Sequence, residues 1–110
     1  MLKIRIALVF LVMATPLLAQ SRMSNDLSRL GAILLDAQNT KVTISADAWK
    51  VTGNEAAALA NRIAASSKQK AARDLQAHVR EMRDAAVSGD SAGARSHAEQ
   101  AMPFLYQLTK

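Results

Sequence analysis

Apolar residues that recur every three or four positions, many of them alanine, constrain this chain more than any other feature. Met23, Leu27, Leu30, Leu34 and Ala37 follow one another at steps of 4, 3, 4 and 3, which places them on one stripe of an α-helix, with Ile33 and Leu35 widening it. Trp49, Gly53, Ala56, Leu59, Ala60 and Ile63 make a second stripe. Ala71, Leu75, Val79, Met82 and Ala86 make a third, and Ala94, Ala98, Ala101, Leu105 and Leu108 a fourth. Alanine fills 22 of 110 positions, while Gly (4), Pro (2) and aromatic residues (4%) are scarce. A sandwich or barrel, which needs β-branched and aromatic residues and frequent turns, is excluded. The one alternating run, Thr40 to Ile44, has no second strand to pair with and reads as an extended connection.

The punctuation between stripes sets the topology. Ser24 or Asn25 is expected to cap the first helix, with Asp26 at its positive end, and Asn39 to stop it. Ser45, followed by Asp47, caps the second. A single helix over Ala46–Val87 would be 42 residues and ~63 Å long, too long for so short a domain to cover, so a turn is predicted near Ser66–Lys68. Ser88-Gly89-Asp90 closes the third helix, and Asp90 or Ser91 opens the fourth. Pro103 predicts a kink near Glu99–Met102. Four helices of about 16 to 21 residues with short connections predict an all-α, antiparallel up-down-up-down four-helix bundle over residues 20–110, its alanine stripes packing closely around a thin core.

Residues 1–19 read as an address. Lys3 and Arg5 precede an apolar run from Ile6 to Ala14, Thr15-Pro16 breaks it, and Ala19 gives a small residue before a cut at Gln20. This is the pattern of a Sec-type signal peptide, which places the mature chain in the periplasm or outside the cell. The apolar stretch Ile6–Ala19 is 14 residues, short of the ~20 that span a bilayer, and no membrane span is expected in the mature chain. Loss of Lys3 and Arg5 lowers the formal charge from +5 to +3, because 12 basic and 9 acidic residues remain.

The absence of Cys excludes disulfides, thiolate metal sites, covalent haem and cysteine nucleophiles. No nucleophile, phosphate-loop, dinucleotide or HExxH motif occurs, and the chain is read as not an enzyme. Lys68, Lys70, Arg73, Arg80 and Arg83 make the third helix basic. No aromatic residue interleaves with them, acids interrupt them, and nucleic acid is not an expected partner. Lys70–Asp74 and Arg80–Asp84 pairs are expected on that face. Its surface (Lys70, Arg73, Arg80, Arg83), or the bundle end at Trp49 if that ring is exposed, would meet a protein partner of the cell envelope. A second copy is a further candidate, since the core is small. The expectation is an exported, non-enzymatic binding or accessory protein with no cofactor.

The alternative is a carrier of copper or haem b. If the last two helices form a hairpin about Gly89, residues equidistant from the turn face each other, so Met82 is level with Ser96–His97 and Met102 falls near the level of His78. His78, Met82, His97 and Met102, with Met23 from the first helix, would supply imidazole and thioether ligands suited to Cu(I) or haem iron. The same residues also read as core and edge side chains: Met fills irregular cores, and Asp74 is placed to pair with His78.

Gly89-Asp90, Ala94-Arg95 and Ala98-Glu99-Gln100, in an exported, Cys-free, alanine-rich chain, resemble the last hairpin of the soluble periplasmic b-type cytochromes built as four-helix bundles. The resemblance covers the last third of the chain. It implies the same fold and a haem held by a Met near the mature start, matched by Met23, and a His of the last helix, for which His97 is the candidate.

Overall fold

The computed structural model describes residues 22–41 and 43–109. The leader read at residues 1–19 lies outside them, as does Val42. Among the described residues there are four helices: α1 over residues 22–38, α2 Ala46–Ser66, α3 Lys70–Val87 and α4 Ser91–Leu108. They form an all-α antiparallel up-down-up-down bundle, which is legible from cross-helix pairs whose numbers run in opposite directions. Arg29 meets Glu55 while Asp26 meets Arg62 between α1 and α2; Gln76 meets Asn61 while Arg83 meets Gly53 between α2 and α3. Glu81 meets His97 while His78 meets Phe104 between α3 and α4. The ring closes where Leu105 approaches Gly31 and Arg95 reaches the carbonyls of Ala37 and Asn39.

Local chemistry explains each boundary. Ser45 Oγ accepts from the Ala48 amide at 3.2 Å, satisfying one orphan donor of α2. After Ser66 the chain turns extended at Ser67, whose hydroxyl accepts from the Gln69 amide, and this small serine turn separates α2 from α3 without Gly or Pro. At the end of α3, Gly89 adopts φ 86°. Its amide bonds Ala86 O while the Asp90 amide bonds Ala85 O at 2.8 Å, a Schellman closure that a side chain at Gly89 would strain. Asp90 Oδ1 then accepts from the Gly93 amide at 2.8 Å and starts α4. That helix continues through Pro103, on its exposed side, to Leu108.

Two details of α1 differ from expectation. It is already helical at residue 22, so Ser24 and Asn25 lie inside it, where a capping residue's extended backbone is not available. Leu35 is 56% exposed, because the buried face follows Leu27, Leu30, Ile33, Leu34 and Ala37, and Leu35 falls 100° beyond Leu34. The other stripes are buried as spaced, and among the described residues no polar side chain is buried in the core. Gly53 permits the tightest helix approach. A Cβ there would sit 3.2 Å from both Ala86 Cβ and Arg83 Cα, the close packing that the alanine stripes imply. Outside the core, the hydrogen bond donated by Arg29 Nε at 2.7 Å holds the Glu55 carboxyl below its usual range and raises Arg29 in turn. Arg62 is raised by its bond to Asp26.

Candidate metal centre

His78 and His97 meet across the α3–α4 hairpin, with ring centroids 6.4 Å apart and planes 32° from parallel. Phe104, nearly two turns beyond His97 on α4, stacks on the His78 ring at 5.4 Å and 12°. Glu81 follows His78 by three residues, the spacing that puts both on one helical face, and its Oε2 lies 3.0 Å from His97 Nδ1. The Nδ1 atoms of both histidines are shut off from solvent; that of His78 has no hydrogen-bond partner, and that of His97 has the Glu81 carboxylate beside it. The Asp74 pairing offered for His78 is absent from the ion pairs of the described residues. Leaving a buried ring nitrogen such as His78 Nδ1 unsatisfied costs about 1–3 kcal/mol.

One ligand atom from each of His78, Glu81 and His97 falls within 4.8 Å of the others. Donors on a tetrahedral ion are about 3.3 Å apart, given metal–ligand distances near 2.0 Å. The Glu81–His97 edge is already that short, and side-chain rotation across a half-buried surface can close the rest. The exposure favours this: the Glu81 side chain is 56% exposed and that of His97 29%.

The thioethers lie elsewhere. Met82 is wholly buried in the core, and Met102 lines a groove of about 690 Å³ between α1 and α4 together with Met23. On α4, Met102 stands five residues and about 140° around the helix from His97. The structure thus brings His78 to His97 and Met23 to Met102, but Met23 and His97 flank different faces of α4. That placement does not fit a haem held between the two. Leu35 and Tyr106 border the groove, and no charged residue lines it among the described residues.

The basic face is more occupied than its spacing implied. Arg83 packs against Gly53 and ion-pairs with Asp84 at 3.0 Å, and Arg80 reaches Asn61 Oδ1 at 3.5 Å; neither expected i,i+4 pair is among the ion pairs of the described residues. Lys70, Arg73 and Arg80 remain exposed. Trp49 is only 4% exposed, so its ring is a core anchor and not a contact surface; the Arg95 guanidinium lies 5.5 Å from the ring centroid.

Glu81 is the donor that the sequence-derived ligand set lacks, since the acids of α3 figure there only as interruptions of its basic face. The signal was present in His78-Val79-Arg80-Glu81, and in the equal distance of Glu81 and His97 from Gly89. Among the described residues no helix is long and apolar enough to cross a membrane. Comparison with family models, curated proteins and solved structures finds no match to this chain.

Proposed function

We propose that this chain is an exported, non-catalytic binding protein of the cell envelope, and that what it binds is a transition-metal ion held between α3 and α4. The observation that carries it is the convergence of His78, Glu81 and His97, one ligand atom of each within 4.8 Å of the others, with the His78 Nδ1 buried and without a hydrogen-bond partner. A neutral imidazole has a lone pair to offer, and a metal ion between the two rings would engage a nitrogen of each. The basic n-region, apolar run and Ala19 support delivery to the periplasm, the compartment in which such a protein would meet its ion. The absence of nucleophile, phosphate-loop, dinucleotide and HExxH motifs from the sequence supports a role in binding and handing over the ion.

The test is direct. Protein recovered from the periplasm without chelators is weighed by mass spectrometry and assayed for metals, then titrated with Zn²⁺, Ni²⁺ and Cu²⁺ by calorimetry. A mature chain starting at Gln20 and near-stoichiometric uptake, lost in a His78→Ala/His97→Ala variant of unchanged helicity, is the expected result. Full binding by the double variant, or a folded wild-type chain that takes up none of these ions, overturns the proposal.

A further inference from the structure

The donor set narrows the ion. We infer, on the basis of the metal-binding function proposed above, that the site takes a borderline divalent cation of the Zn²⁺ class on three protein donors, His78, Glu81 and His97, and leaves at least one coordination position for a ligand from outside the chain.

Three features point there. The ligand atoms that converge are two imidazole nitrogens and one carboxylate oxygen. Imidazole suits Zn²⁺, Cu²⁺ and Ni²⁺; Cu(I) selects thiolate and thioether, while Ca²⁺ and Mg²⁺ take oxygen ligands. The nearest thioether along α3, that of Met82, is wholly enclosed in the core and Met102 faces α1, so a soft site would require repacking. Second, the scaffold is rigid where it matters. His78 and Glu81 share one face of α3, the Schellman turn at Gly89 sets His97 opposite Glu81, and the Phe104 ring stacks on His78. Third, the site is one-sided. Glu81 stands more than half exposed at its outer edge, and three donors do not complete a tetrahedron. A closed structural site has four protein ligands; this arrangement has the open position of a site that exchanges its ion or its outer ligand.

The experiment compares full-length mature wild type, Glu81→Gln and His97→Ala, each checked for helicity, by competition titration with Zn²⁺ and, under reducing anaerobic conditions, with Cu⁺. Expected are preference for Zn²⁺ over Cu⁺ and at least about tenfold weaker Zn²⁺ binding in Glu81→Gln, since loss of even an outer partner of a ligand costs that much. Electron paramagnetic resonance of the Cu²⁺ form should show two coupled nitrogens, and a third on addition of free imidazole. Zn²⁺ binding that falls in His97→Ala but not in Glu81→Gln removes Glu81 and overturns the inference while the metal-binding function stands. A Cu⁺ preference that weakens in Met82→Leu does the same in favour of a thioether site. A spectrum unchanged by imidazole overturns the open position, and failure of the wild type to bind any of these ions removes the proposed function itself.

Discussion

Gly31 and Gly53 are both buried in helices, and replacing each by alanine should have opposite effects. In a helix interior Gly→Ala gains about 0.8–1.0 kcal/mol of backbone propensity. At Gly31 the new Cβ meets only Leu105 Cδ2, at 3.5 Å, an ordinary van der Waals contact at the end of a flexible side chain. The gain survives, giving a rise in melting temperature of about 4–8 °C for a domain of this size. At Gly53 the Cβ sits 3.2 Å from Ala86 Cβ and from Arg83 Cα. Arg83 Cα is backbone and cannot swing aside, so α2 and α3 must part by a few tenths of an ångström along an alanine seam with little slack. Overpacking of this kind costs about 1–3 kcal/mol, which cancels or exceeds the gain. The two variants should therefore differ by at least about 1 kcal/mol in urea denaturation followed by far-ultraviolet circular dichroism. Equal stabilisation by both would refute the close approach of α2 and α3.

Leu75→Ala, at a fully buried position of α3, should cost about 2–5 kcal/mol in the same assay, a large share of the stability of a domain this small. Arg95→Ala should cost about 1–2 kcal/mol, because it strips two carbonyls of their charged donor at 2.9 Å, and faster amide exchange should follow at the C-terminal turn of α1. The Arg29–Glu55 pair predicts a small pH effect of defined sign. Glu55 titrates below its ordinary 4.5 in the folded chain, so its contribution is present above that value and fades as pH falls through the folded pKa. Glu55→Gln should flatten acid unfolding in that window and lower stability near pH 7 by the same small amount, small because the pair is exposed.

The helices and their buried faces were readable because a thin alanine-rich core leaves few ways to place the larger side chains. Leu30, Leu34, Ile63, Leu75, Val79 and Met82 can only point inward. The turn after Ser66 was legible from length alone, since the sequence carries no strong breaker there and a serine hydroxyl performs the task. Trp49 and Leu35 were harder, because each lies at a stripe edge where one step of 100° decides between core and solvent. In the candidate centre the two histidines could be paired through the hairpin register. Their orientation could not, since it follows from Phe104 stacking on His78 and from Glu81 turning out of a charged face that otherwise faces water. Spacing gives level and face; whether a thioether or a carboxylate arrives at that level is a matter of side-chain packing.

Arg95 gives the bundle a topological closure. Its guanidinium grips carbonyls 58 and 56 residues back along the chain, at the end of α1, while lying near Trp49 at the start of α2. All other neighbouring helix pairs meet through contacts between consecutive elements, which can zip in order from any hairpin. The pairing of α4 with α1 must await the arrival of both chain ends, and the late, long-range loop it closes is the step most exposed to the entropy of the unfolded chain. The α3–α4 hairpin that carries the two histidines has no such dependence, being built from neighbours in sequence. Assembly of the half that carries the histidines can therefore precede closure of the ring, and on the proposed function an ion captured early would bias the hairpin toward the geometry that α1 and α2 later enclose.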